Sequence, residues 1–181
     1  MLTDLQKRKL TVLFQHHDMD EDGFLGKADY ERFAERFCEV QGYAPDSPQG
    51  EAVHAQNMAV WEQVQQVADK DGDGRVTLEE YLGSWGVTLS DKKLYDQLVT
   101  GYAHSLLALW DRDEDGRLSG VEYAAFLGCY GVGEESAREA FRHLDPDGRG
   151  CLTLETLTGR FDEFFLDDDP DAPGSWIFGP Y

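Results

Sequence analysis

Asp69-Lys70-Asp71-Gly72-Asp73-Gly74-Arg75-Val76-Thr77-Leu78-Glu79-Glu80 is the stretch that decides the fold of this 181-residue chain. Aspartates stand at positions 1, 3 and 5 of the twelve, glycine at 6 and glutamate at 12. Alternating carboxylates followed by a sharp turn gather oxygens around one point, and glycine permits the turn because it has no Cβ to block left-handed backbone angles. The same pattern recurs from Asp18 (DMDEDGFLGKAD), Asp111 (DRDEDGRLSGVE) and Asp145 (DPDGRGCLTLET). These four windows hold 18 of the 36 acidic residues of the chain and only six of its 16 lysines and arginines. The negative charge is therefore concentrated in four short loops.

Oxygen-only ligation at this density selects a hard cation: calcium, with magnesium as competitor, over zinc or copper. The twelve-residue pattern is the EF-hand loop signature. The second loop is complete, with Asp69, Asp71, Asp73, the Arg75 carbonyl, Thr77 at position 9 and Glu80 closing the shell. The third is equally complete, with Asp111, Asp113, Asp115, the Arg117 carbonyl, Ser119 and Glu122. The first offers Asp18, Asp20, Asp22 and the Phe24 carbonyl, but has Gly26 at position 9 and Asp29 at position 12. Asp is one methylene shorter than Glu, so the first site is expected to hold calcium more weakly or to admit magnesium more readily. The fourth has Arg149 at position 5 and Thr156 at position 12. A cation in place of one ligand and no closing carboxylate predict a loop that holds no metal and serves as partner to the third. Three calcium sites are expected.

Leu25, Val76, Leu118 and Leu152 occupy position 8, where a buried aliphatic lets two loops pair as a short ribbon. Apolar residues at helical spacing flank every loop. Before the loops these are Leu10, Leu13 and Phe14; Val60, Trp61, Val64 and Val67; Leu106, Leu107 and Trp110; and Phe141 and Leu144. After the loops come Tyr30, Phe33 and Phe37; Tyr81, Leu82 and Trp85; Tyr123, Phe126 and Leu127; and Leu157, Phe161 and Phe164. All are read as core-facing stripes. The spacing predicts an all-α protein of four helix–loop–helix units in two paired lobes, 1–87 and 88–166, packed compactly. Gly42 to Pro48 forms a turn-rich break before a long helix reaching Ala68, and Ser90 is the expected N-cap after the break at Gly86. Residues 167–181 form an acidic and aromatic tail. Its Trp176, Ile177, Phe178 and Tyr181 are expected to fold back over an apolar groove.

A formal charge of −20 argues against nucleic acid or an anionic membrane surface as partner. Hydrophobic residues at 41% with 12% aromatics place the chain among folded proteins. No run of apolar residues is long enough to span a bilayer, and the N-terminus lacks the apolar core of a signal peptide. Cys38, Cys129 and Cys151 are an odd, scattered set, expected as reduced structural thiols. A monomeric cytoplasmic protein whose partners are calcium ions is the expectation.

These residues resemble the sarcoplasmic-type calcium-binding proteins, and among them the bacterial members. The resemblance rests on four hands with one degenerate, the long spacing between the first two, and the Pro173-Gly174-Ser175-Trp176-Ile177-Phe178-Gly179 tail. It implies a compact all-α fold, no catalytic activity, and calcium buffering or transport. Two other functions compete with buffering. A calcium sensor would open a groove for a target helix, but such grooves are Met-rich and this chain has only Met1, Met19 and Met58. A calcium-triggered carrier of a small luciferin-type ligand would share the architecture. No metalloprotease, nucleophile-elbow or phosphate-loop motif points to an enzyme.

Overall fold

The computed structural model describes Met1–Pro180; Tyr181, assigned to the tail cluster, lies outside the described residues. The helices are α1 (Asp4–His17), α2 (Lys27–Gln41), α3 (Pro48–Ala68), α4 (Leu78–Thr88), α5 (Lys92–Trp110), α6 (Gly120–Cys129), α7 (Glu134–Leu144) and α8 (Leu154–Leu166). Four short strands lie in the loops between them: β1 (Phe24–Leu25), β2 (Val76–Thr77), β3 (Arg117–Ser119) and β4 (Cys151–Thr153). The all-α expectation holds, with two small antiparallel ribbons. In the first ribbon Leu25 pairs with Val76; in the second Leu118 pairs with Leu152. All four position-8 side chains are fully buried. Their burial explains why loops of different ligand content pair in the same register.

The chain divides into two compact units. One comprises Leu10–Trp85; the other comprises Met1–Lys9 together with Gly86–Tyr181. Residues 1–9, expected with the first pair, are thus grouped with the second, and α1 contributes turns to both.

In the unit Leu10–Trp85, Phe14 meets Tyr81 edge-on at 5.5 Å and Tyr30 lies 5.5 Å from Trp61. Ser47 caps α3 by accepting the Gly50 amide, with Pro48 as the first helical residue. Two members of the expected α3 stripe are not core. Val60 and Val67 are 43% and 53% exposed, while Val53, Trp61 and Ala68 are buried. The buried face is centred on Trp61, one residue and therefore about 100° round the helix from the valine face.

In the other unit, α5 is capped by Asp91 rather than Ser90. The Asp91 carboxylate accepts the amides of Lys93 and Leu94, whereas the Ser90 hydroxyl donates to the Val87 carbonyl. Lys9, fully buried, sets its ammonium 3.2 Å from the Glu163 carbonyl and 3.3 Å from the Asp167 carbonyl. It thereby places a cation at the carbonyl end of α8. The tail forms a 3-10 turn over Pro173–Trp176, and Ile177 and Phe178 are buried. Phe178 packs edge-on to Phe164 at 5.0 Å, and the Tyr123 hydroxyl donates to the carbonyls of Trp176 and Ile177. A Cβ at Gly174 would collide with the Arg160 carbonyl, so this close approach of tail to α8 requires glycine.

Among the described residues no helix is long and apolar enough to cross a membrane. The three cysteines carry free thiols, with Cys38 and Cys129 buried.

Candidate metal centres

Each loop leaves the end of one helix, turns through a position-6 glycine and ends in the first turn of the next helix. The turn glycines Gly23, Gly74, Gly116 and Gly150 have φ of 87°, 87°, 78° and 78°, values that L side chains rarely adopt. In every loop the position-1 aspartate anchors the turn by accepting the position-6 amide. The distances are 2.9 Å for Asp18 to Gly23, 3.1 Å for Asp69 to Gly74, 2.8 Å for Asp111 to Gly116 and 2.7 Å for Asp145 to Gly150.

Three loops collect carboxylate oxygens within 4.8 Å of one another. The groups are Asp18, Asp20 and Asp22; Asp69, Asp71 and Asp73; and Asp111, Asp113 and Glu122. Asp115 accepts the Arg117 amide at 2.8 Å, as Asp22 accepts that of Phe24 at 2.9 Å and Asp73 that of Arg75 at 2.8 Å. Phe24 and Arg117 open β1 and β3, and Arg75 immediately precedes β2, so the position-7 residues sit at the ribbons. An all-oxygen set of this kind suits a hard divalent cation.

The closing residues show how the loops differ. Glu80 accepts the Lys70 amide at 3.0 Å with one oxygen, and the Thr77 amide and hydroxyl, each at 2.8 Å, with the other. These donors, led by the Thr77 amide, hold its carboxyl down at about 2. Glu122 accepts the Arg112 amide at 2.8 Å, the Ser119 amide at 2.8 Å and the Ser119 hydroxyl at 2.7 Å. Burial raises its carboxyl and these hydrogen bonds more than offset the effect, leaving it below the ordinary value. Asp29 occupies the same place, accepting Met19 at 2.8 Å and Gly26 at 2.7 Å, with no hydroxyl donor because position 9 is glycine. Burial dominates there, the Asp20 charge adds to it, and the Asp29 carboxyl lies above the ordinary value.

The fourth loop keeps the fold of the others, with Asp145 and Asp147 at positions 1 and 3, but has no carboxylate at positions 5 and 12. Arg149 stands where an aspartate would, with its guanidinium 3.2 Å from Asp147. Thr156 closes the loop with a hydroxyl 3.1 Å from that of Thr153.

Arginine side chains near the first loop escaped the sequence reading. Arg32 of α2 lies 3.6 Å from Asp20, and Arg75 of the second loop lies 3.9 Å from Asp22. Neither pairing follows a local pattern: one spans a loop and a helical turn, the other crosses the ribbon.

An EF-hand family profile matches residues 66–82, which contain the whole second loop. The chain is 39% identical over 174 residues to the beta chain of the sarcoplasmic calcium-binding protein of Penaeus sp., spanning 91% of this chain and 90% of that protein. It is 24% identical over 164 residues to calerythrin of Saccharopolyspora erythraea, with 87% and 90% covered. The solved structure of a Streptomyces coelicolor calcium-binding protein, described for prokaryotic calcium-mediated regulation, is similar at a TM-score of 0.71. That match has 27% identity and covers 91% of this chain and 99% of that one. Fold and loops together define an EF-hand protein with three candidate acidic metal-binding loops. The chain belongs to the sarcoplasmic calcium-binding protein family.

Proposed function

We propose that the chain binds three calcium ions, in loops 18–29, 69–80 and 111–122, and acts as a calcium buffer or signal modulator. The observation that carries this reading is the gathering of three carboxylates within 4.8 Å in each of three loops. The ligands are Asp18, Asp20, Asp22, the Phe24 carbonyl and Asp29; Asp69, Asp71, Asp73, the Arg75 carbonyl and Glu80; and Asp111, Asp113, Asp115, the Arg117 carbonyl and Glu122. Backbone amides pre-set most of these carboxylates, so ion binding costs little reorganisation. The clustered negative charges repel one another, and a divalent cation relieves that repulsion and stabilises the folded state by mass action.

Magnesium competes most effectively in the first loop, where Asp29 closes the shell with a shorter arm. The fourth loop is a structural partner that takes no ion. Three free thiols support work in a reducing compartment, the cytoplasm. Binding rather than catalysis is the role of the 15 acids, of 36 in the chain, that stand in the three acidic windows.

Calorimetric titration with calcium in millimolar magnesium tests the reading, together with a dye that reports exposed apolar surface. Three ions bound with a flat dye response is the expected result. A dye signal rising steeply with calcium would replace the buffer with a sensor, and fewer than three ions would remove one of the sites.

A further inference from the structure

Among the three acidic loops, only the first has cations seated on its own aspartates. The guanidinium of Arg32 is 3.6 Å from Asp20, and that of Arg75 is 3.9 Å from Asp22. The aspartates of the second and third loops have no ion pair among the described residues. Arg75 is also held in place from a second side, with its guanidinium carbon 5.2 Å from the centre of the Phe24 ring. That ring belongs to position 7 of the first loop, so the arginine lies across the ribbon on the neighbouring loop. The same placement appears in the shape of the surface: a cavity of about 300 Å³ is lined by Asp20, Asp22 and Asp29 together with Arg75. Lys27 lines it too, but is paired with Glu31 at 2.9 Å.

We propose that Arg32 and Arg75 are affinity-setting residues of the first loop, internal cations that compete with the divalent ion for Asp20 and Asp22 and make this the last site to fill. The proposal rests on the first loop being a metal site. Two effects act together. A guanidinium within 4 Å of a carboxylate satisfies part of the charge that the entering ion would satisfy, and it repels that ion directly. Both arginines are about half exposed, so water and salt damp each effect, and a factor of roughly three per arginine is the scale. Arg75 has a double part. Its main chain stands at position 7 of the second loop while its side chain restrains the first. The equivalent residue of the third loop, Arg117, instead directs its guanidinium to the Cys151 thiol at 3.7 Å, and the cation beside Asp147 in the fourth loop is that loop's own Arg149 rather than one reaching across the ribbon.

The test follows the position-6 amides of Gly23, Gly74 and Gly116 by NMR during calcium titration. Each amide hydrogen-bonds the first aspartate of its own loop and therefore reports that loop alone. The full-length chain is compared with Arg32→Gln, Arg75→Gln, the double variant, and Arg75→Lys, which keeps the charge. The proposal expects Gly23 to respond last in the unaltered chain. It expects the Gly23 midpoint to fall about threefold in each Gln variant and about tenfold in the double, with the shift shrinking in 0.5 M salt. Arg75→Lys should stay close to the unaltered chain, and the Gly116 midpoint should not move in any variant. Should Gly23 saturate at an unchanged or higher calcium concentration in the double variant, the proposal is overturned while the three-site reading stands. If Gly23 never responds in any variant although Gly74 and Gly116 do, the first loop is not a site and both fall.

Discussion

The two loop pairs diverge from one pattern in opposite ways. In the first pair both loops keep their carboxylates, yet the ribbon is two residues on each strand; in the second pair one loop has lost two of its ligand carboxylates, yet the ribbon has three. Ribbon formation therefore follows the buried position-8 aliphatics and the turn glycines, not the ligand set. The fourth loop keeps Asp145 anchoring Gly150, keeps Leu152 fully buried, and sets Arg149 beside Asp147. In the first loop the ligands are present, but Asp29 is short and two arginines stand on the aspartates. On the proposed reading, one pair has a weakened site and the other a site converted into structure.

Removing metal gives the largest expected contrast. At calcium a hundredfold above its dissociation constant each site adds about 2.7 kcal/mol, so a chelator should cost the chain several kcal/mol and lower its melting temperature steeply. Hydrogen exchange in chelator should show the amides of Arg117–Ser119 and Cys151–Thr153 better protected than those of Phe24–Leu25 and Val76–Thr77. Equal loss in both ribbons would break the distinction between the pairs. Next, Leu152→Ala should cost about 3 kcal/mol in denaturant unfolding. It should also weaken calcium at the third loop, although residue 152 belongs to the loop proposed to take no ion. An unchanged third site would show that the pairing has no energetic consequence for binding.

Smaller effects sharpen the ranking of sites. Glu122→Gln should weaken the third site roughly 100-fold, because one charged oxygen of a two-oxygen closing ligand is lost from a set that the backbone has already organised. Calorimetry would then resolve two tight or moderate steps in place of three. Asp29→Glu should tighten calcium at the first loop by about tenfold and reduce magnesium's advantage there, read as a shift of the weakest step in millimolar magnesium. A weakest step that ignored residue 29 would place it in another loop.

The loops were readable because each ligand set lies within twelve consecutive residues, and backbone geometry fixes what that spacing can surround. Aspartate oxygens from all three acidic windows do come together. Helix existence was equally legible, from apolar spacing, as was the long α3 after the turn at Pro48. Details that depend on neighbours were not. Val60 and Val67 carry the apolar signal of α3, but which side of the helix meets the core is set by the partners of Trp61. Ser90 and Asp91 are both competent caps, and only the direction of the chain at that turn selects the carboxylate. The pairing of Arg75 with Asp22 spans 53 residues and depends on the ribbon register that brings Phe24 opposite Thr77. No local pattern contains that information.

Native mass spectrometry of the intact chain in saturating calcium tests the central claim most directly, because it counts ions on a single molecule. Three calcium ions per chain is the predicted result, unchanged in Asp145→Asn, while in Glu122→Gln the third ion should need roughly 100-fold more calcium. Four ions, or a count that drops on Asp145→Asn, would contradict the assignment of the fourth loop to structure alone.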